Sequence, residues 1–402
     1  MATAQRQIAF FMNSPALGGA ERSMIEQIKI IRELRTNLTI KVFIPTLTSQ
    51  PAESSLSYLL LQEKIPFQYF NYNPRLFEFS RYGDNGIRAL INLPGLLLQS
   101  MLELRRLNIP NSSLIWCNGN KVGLIWLFYR ALFCLPNQIV WHFRDYPETS
   151  GIFALLWPVI GLFSRFWSKQ YFVANSHSVA TAIAVSFRRD CAHVIYNPIG
   201  LLKSTPRQWQ QGELILGSAS MLAPWKGIYE LIQTVQTYST QLQELGVKEF
   251  HIYGETPYHT KGEHLGHAQQ IEKLIADGIQ SCKIPIVLKG VATPSVIFSS
   301  LNILIHSSKR PEPFGRILVE AFCAQVLVVT TGLGGAGEIA IAQDNCLHYE
   351  VAHPSTLIVA LQRLIKDEQF RQDLQVRALQ SAHRIEDKAT QDLKKMLDKL
   401  FA

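Results

Sequence analysis

The chain has 402 residues, 47% hydrophobic and 17% charged. This globular composition excludes a disordered protein and, at that length, favours two domains of roughly 200 residues each over one core. Thirty-nine Lys and Arg against thirty-one Asp and Glu leave a formal charge of +8, which suits an anionic small molecule or membrane face; the basic stripe interleaved with aromatics that nucleic acid would require is missing.

Ile8-Ala9-Phe10-Phe11-Met12 opens the chain as a strand, its apolar run too short for a signal peptide. Strand-length apolar runs then alternate with helix-length periodic segments, the signature of parallel sheets with helical crossovers. Strands are expected near 7–13, 38–45, 66–71, 113–117, 138–142, 171–174 and 192–196, with helices at 20–35, 88–106, 121–134 and 176–188. The apolar segment Gly151 to Phe163, broken by Pro158, is shorter than the ~18 uninterrupted residues of a membrane span. It reads as a packed core helix or, failing that, as a helix lying on a membrane surface. The six cysteines stand singly, without zinc spacing, and read as buried thiols of a reducing cytosol.

Asn197-Pro198-Ile199-Gly200 and the polar stretch to Gly212 form the best linker in the chain. Strands restart near 213–220, 249–253, 285–289, 302–306, 326–330 and 345–348, with helices near 226–244, 263–278, 313–324 and 353–367. The expected fold is α/β, with two Rossmann-like doubly wound domains facing across a cleft. Residues 1–200 form the first and 213–385 the second; a last helix, 386–402, is free to cross back onto the first. Ligands in such sheets sit at the carboxyl ends of strands, beside helix N-termini.

The most informative string is Pro311-Glu312-Pro313-Phe314-Gly315-Arg316-Ile317-Leu318-Val319-Glu320-Ala321. Pro313 suits the first position of a helix, where its missing N–H costs nothing. The amides of Phe314, Gly315 and Arg316 would then point out of the helix end towards an anion such as a phosphate. On one helix Glu312 and Glu320 would lie ~12 Å apart along the axis, too far for glycoside hydrolysis, whose carboxylates sit ~5–9.5 Å apart. They could instead hold hydroxyls at opposite ends of an extended ligand. Glu312, so placed, is a site charge whose replacement by glutamine spares the fold.

This E-x7-E pattern inside EPFG-x4-EA resembles the retaining, family-4-like glycosyltransferases of GT-B fold. The resemblance runs nearly the length of the chain, through Gly18-Gly19-Ala20-Glu21-Arg22, Val173-Ala174-Asn175-Ser176, Tyr196-Asn197-Pro198, Trp225-Lys226-Gly227, Gly290 and the glycine turn with Glu338. It implies a retaining transfer of a sugar from a nucleotide diphosphate-sugar to a glycan, lipid-linked or other hydroxyl acceptor. The setting it implies is cell-surface polysaccharide or glycolipid synthesis, in the cytoplasm or at the inner membrane face. Glu312 would bind hydroxyls of the transferred sugar, Glu320 the ribose, and Lys226 with the amides of Phe314 and Gly315 the diphosphate. Gly290 would lie by the nucleobase and Gly18 and Gly19 over the phosphates. His142, expected at the end of its strand, would contact the donor sugar near the reacting centre. The family's arginine five residues before the lysine is Met221 here, so a cation is missing unless Arg310 or Arg316 supplies it. No Asp-x-Asp triplet occurs, and no metal or other cofactor is expected.

Gly332-Leu333-Gly334-Gly335-Ala336-Gly337 satisfies G-x-G-x-x-G after a strand, with Glu350 beyond it, and would indicate an NAD-dependent oxidoreductase. The helical stretch that follows, roughly Glu338 to Ala342, is short for such a crossover. The residues are also compatible with a nucleotide-sugar epimerase or a binding-only protein of the same fold.

Overall fold

The computed structural model describes residues 7–46, 55–71, 86–148, 151–166, 169–200, 206–256, 263–278 and 280–402. The chain divides into two compact units, Met1–Pro198 with Lys388–Ala402, and Ile199–Asp387.

The first unit is built on β1 (Gln7–Met12), β2 (Thr39–Pro45), β3 (Phe67–Phe70), β4 (Leu114–Asn118), β5 (Ile139–Phe143), β6 (Gln170–Ala174) and β7 (Ala192–Val194). Among the described residues they form one sheet of order β3-β2-β1-β4-β5-β6-β7, and every pair is parallel. The second sheet has β8 (Leu214–Ala219), β9 (Val247–Tyr253), β10 (Ile286–Gly290), β11 (Ile303–His306), β12 (Leu327–Thr330) and β13 (Leu347–His348) in the order β10-β9-β8-β11-β12-β13. It too is wholly parallel. Central strands such as β1, β4 and β5 are apolar without alternation because helices cover both faces. The direction of winding reverses between β1 and β4 in one unit and between β8 and β11 in the other, and each reversal opens a crevice at the carboxyl ends of those strands.

The helices differ from the sequence pattern where glycines or local bonds decide. The expected helix 226–244 is broken into a 3-10 turn, Pro224–Lys226, and helices Ile228–Thr237 and Ser239–Glu244, because Gly227 takes a left-handed φ of 68°. The last helix is Glu368–Phe401, far longer than 386–402; its start is fixed by Asp367, whose carboxylate accepts the Phe370 N–H at 3.0 Å. Its final turns bury Leu393, Met396, Leu397 and Leu400 in the core of the first unit with Ile8 and Phe10. Of the cysteines, Cys117, Cys323 and Cys346 are buried, but Cys134 is exposed as the left-handed C-cap of helix Asn120–Phe133.

Helix Gly151–Phe163 packs against helix His177–Phe187 through Gly161, where an added Cβ would lie 2.1 Å from the Phe187 carbonyl oxygen. Trp157, Ile160 and Phe187 close that contact, each no more than 4% exposed. The obstacle is backbone and cannot rotate away. Gly161→Ala is therefore expected to destabilise the first unit by about 2–3 kcal/mol, despite the ~1 kcal/mol by which alanine is the better helix former. Urea denaturation of the two proteins measures the difference; an unchanged or raised midpoint would show that the helices can part at no cost.

Candidate functional site

In the second unit the crevice between β8 and β11 is lined by the loops that follow these strands. The β8 loop ends in the turn Pro224–Lys226, and three contacts fasten it to the β11 loop. Ser307 Oγ donates to the Lys226 carbonyl at 2.7 Å, Lys309 N–H donates to the Trp225 carbonyl at 2.8 Å, and Lys309 pairs with Glu230. Gly227 is required at this clamp, since a Cβ there would meet the Ser307 carbonyl oxygen at 2.2 Å.

Glu312 sits between these loops. Its Oε1 accepts from Lys226 Nζ at 2.5 Å and from Ser308 Oγ, and His306 Nε2 lies 3.5 Å away. Thr330 Oγ1, 2.9 Å from His306 Nδ1, orients that ring. The side chains of Lys226 and Glu312 are 15% and 12% exposed. Burial by itself raises the Glu312 pKa, but the His306 imidazole and the Lys226 ammonium outweigh it and hold the carboxyl well below its ordinary value. Glu312 is therefore ionised at neutral pH, an acceptor-only group suited to hydroxyl ligands, beside an ammonium with three donors.

The backbone of Glu312 is not helical. Its N–H donates to the Leu333 carbonyl at 3.0 Å and its carbonyl accepts from Gly335 N–H at 2.7 Å, in a parallel bridge to the glycine turn. The helix begins only at Arg316, with Gly315 as N-cap at a φ of 89°. Pro313 is thus not the first helical residue, and the two-turn separation of Glu312 and Glu320 along one axis does not hold. The pairing with residues 333–335 keeps the chain extended through Glu312, and only a glycine readily takes the left-handed turn into the helix. Phe314 is buried at 2% and Gly315 is partly exposed.

Arg316 and Glu320, one turn apart, pair with each other at 2.7 Å, and Arg316 also donates to the Ile199 carbonyl at 2.9 Å. Of the two arginines weighed as a substitute cation, Arg316 is thereby committed to a neighbouring carboxylate, whereas Arg310 is exposed. Met221 is 39% exposed in the loop after β8. Gly290, the last residue of β10, is exposed at a φ of 67° with nothing near its missing Cβ. The glycine turn leads into helix Gly335–Ile339 of only five residues, too short for a dinucleotide-binding crossover. Its Gly332 is backed by the His348 ring, 2.3 Å from where a Cβ would stand. The turn supports Glu312.

In the first unit Gly18 caps helix Gly19–Leu34, and the Glu21 carboxylate accepts the Gly18 N–H at 3.2 Å. Burial pushes the Glu21 carboxyl up to about 7. His142 does not end its strand: β5 continues to Phe143, and the ring is 0% exposed. Trp116 Nε1 donates to its Nδ1 at 3.4 Å, while Nε2 is buried without a partner. Burial and the Arg144 charge hold its pKa well below the ordinary value, so the ring is neutral. As placed, it has no surface from which to touch a ligand. Arg144, two residues on, is also buried; its guanidinium donates to Asn118 Oδ1 at 2.7 Å, Gln27 Oε1 at 2.6 Å and Asn197. His306, Ser308 and Arg144 stand outside the motifs that marked the other site residues. The signal available for His306 and Arg144 was a polar side chain at or just past the end of an apolar strand.

Residues 203–381 match the family of glycosyl transferases group 1. The matched segment lies wholly within the second unit. No curated protein sequence matches the chain. Among solved structures, Anabaena HepE in complex with UDP and glucose aligns over 98% of this chain and 99% of its own, with 21% identity and a TM-score of 0.72. Sucrose-phosphate synthase from Thermosynechococcus elongatus aligns over the same shares with 15% identity and a TM-score of 0.76. S. aureus TarM, in complex with fondaparinux, alpha-GlcNAc-glycerol and UDP, does so with 14% identity and a TM-score of 0.70. These likenesses are of fold, and the fold is GT-B.

The Lys226–Glu312 pair also ties the two loops together, so replacing Glu312 carries a stability cost. Glu312→Gln leaves a largely buried ammonium without its carboxylate and should cost about 1–3 kcal/mol at neutral pH. A depressed carboxyl contributes stability that is present above its ordinary pKa of 4.5 and lost as pH falls below it. The gap between wild type and Glu312→Gln should therefore narrow on acidification. Thermal unfolding from neutral pH down through the carboxylate range checks this; a gap independent of pH would mean that the ion pair is not its source.

Proposed function

We propose that this protein transfers a sugar from a nucleotide diphosphate-sugar to a hydroxyl acceptor, with retention of anomeric configuration and without a metal ion. The observation that carries this reading is the ionised Glu312 held beside Lys226 at the carboxyl ends of β8 and β11, within the segment that matches the group 1 glycosyltransferases. Glu312 accepts hydrogen bonds from hydroxyls of the transferred sugar. Lys226 and the backbone at Phe314 and Gly315 hold the diphosphate, Glu320 serves the ribose and Gly290 gives the nucleobase room. Breaking the anomeric bond leaves positive charge on the sugar and negative charge on the diphosphate, and fixed positive groups aimed at that phosphate lower the barrier most. Lys226 meets that need from the protein's own residues. The chain also has no Asp-x-Asp triplet to clamp a divalent ion. With Arg316 engaged by Glu320, Lys226 is the main side-chain cation on the leaving group, and the exposed Arg310 is the remaining candidate for a second.

A donor panel read by nucleoside diphosphate release tests the reading. UDP-sugars come first, since HepE is seen with UDP and glucose. Product formed only when acceptor is present separates transfer from epimerisation, and any turnover excludes a binding-only protein. Lys226→Ala and Glu312→Gln, checked for folding, should each lower kcat by about 100-fold or more, and EDTA should leave wild-type activity unchanged. Near-normal turnover in either variant, or activity restored to a chelated enzyme by manganese, would refute the assignment.

Met221→Arg offers a separate test of the diphosphate position. A charge-assisted contact contributes about 1.5–3 kcal/mol, so calorimetry should show tighter binding of the nucleoside diphosphate. Turnover need not rise, because tighter product binding slows release. Affinity unchanged in both Met221→Arg and Lys226→Ala would place the phosphates elsewhere.

A further inference from the structure

Helix Gly151–Phe163 and the turn after it carry two opposite stripes. Trp157, Ile160, Gly161 and Ser164 face the core, each buried. Val159, Leu162, Phe163 and Phe166, at the same i, i+3, i+4, i+7 spacing, stand 47%, 52%, 50% and 78% exposed. The turn continues to Phe166 through Phe166 N–H to the Phe163 carbonyl, 3.0 Å. An amphipathic surface helix turns polar residues outward, and this one does not.

Beside that stripe lies a cavity of about 400 Å³, at the amino ends of β6 and β7 and so at the opposite end of this sheet from the carboxyl-end crevice. Phe166 forms part of its wall, and Arg165, Arg189, His193 and Lys399 bring cationic or ionisable nitrogen to it. Among the described residues no carboxylate lines it; Asp190 is exposed and outside the wall, though its charge reaches Cys191 in it. Both amide atoms of Gln170, in the same wall, are buried without a hydrogen-bond partner. Lys399 Nζ approaches His193 Nε2 at 3.1 Å, and burial together with Lys399 lowers the His193 pKa.

We propose that this edge of the first unit seats on an anionic lipid bilayer, with Val159, Leu162, Phe163 and Phe166 entering the headgroup–acyl boundary and the cavity taking a lipid phosphate between Arg165, Arg189 and Lys399. Apolar side chains flanked by long cations, which outnumber the one acid beside the cavity, Asp190, match a surface whose interior is hydrocarbon and whose face is negative. A second copy of the chain fits less well. The stripe offers roughly 450 Å² at ~200 Å² per large side chain, about half the ~800 Å² that each partner buries in a standard protein–protein interface. The proposal is independent of the donor-site reading, and its test does not use activity.

Co-sedimentation of the full chain with vesicles decides it. Binding to vesicles of equal parts phosphatidylcholine and phosphatidylglycerol should exceed binding to pure phosphatidylcholine on the order of 100-fold, about fivefold per cation, and weaken with salt. Leu162→Ser/Phe166→Ser should abolish binding at an unchanged melting temperature, because both side chains are exposed. Arg165→Glu/Arg189→Glu should lose the preference for anionic vesicles. Equal binding to the two vesicle types, or full binding by the serine variant, would overturn the proposal. So would a wild-type dimer in light scattering that the serine variant converts to monomer, since the stripe would then be an interface between copies.

Discussion

The second unit turns on one contact, the ion pair between Lys226 and Glu312 across the reversal point of its sheet. A carboxylate this buried would protonate or pull the loops open if its charge went unmet. Lys226, Ser308 and His306 meet it, and each is held from behind: Ser307 bonds the Lys226 backbone and Thr330 the His306 ring. The glycine turn after β12 completes the support by pairing with the Glu312 backbone on both sides. The same charges that keep Glu312 ionised make it an acceptor-only group, and in the proposed function the lysine that stabilises it also serves the diphosphate. Function and loop geometry therefore share one electrostatic constraint.

The first unit shows the same winding with a different solution. At the corresponding carboxyl edge the charged group is Arg144, and the side chains that bond its guanidinium are amides: Asn118, Gln27 and Asn197. The positive charge is felt by its neighbours. It helps burial to keep His142 neutral, and it works against the burial that raises Glu21. Topology fixes where polar groups gather, at the carboxyl ends beside the reversal, but not which charge is placed there.

Amphipathic logic also separates the two faces of helix Gly151–Phe163. Its inner stripe meets helix His177–Phe187 so closely that only glycine fits at 161, which fixes the outer stripe by geometry alone. That outer stripe is apolar, and its nearest charges are positive. Packing thus presents to solvent a surface that the core does not need.

Much of this was written in the chain itself. The parallel strands were legible because strands covered on both faces are continuous apolar runs, and β1, β4, β5, β11 and β12 read that way directly. The EPFG string likewise marked the site, since glycine and proline punctuate backbone geometry wherever they stand. What periodicity did not carry was the local path through that string. Whether Glu312 begins a helix or runs extended depends on bonds to Leu333 and Gly335, residues remote in sequence. The same holds for burial: His142 has a polar side chain on a short strand, and only the packing of Trp116 and the flanking strands shows that its ring lies wholly inside. Residue types and spacing determined the two sheets and where the polar loops fall. Tertiary packing decided which charges were paired, and pairing in a low-dielectric interior is what sets their chemistry.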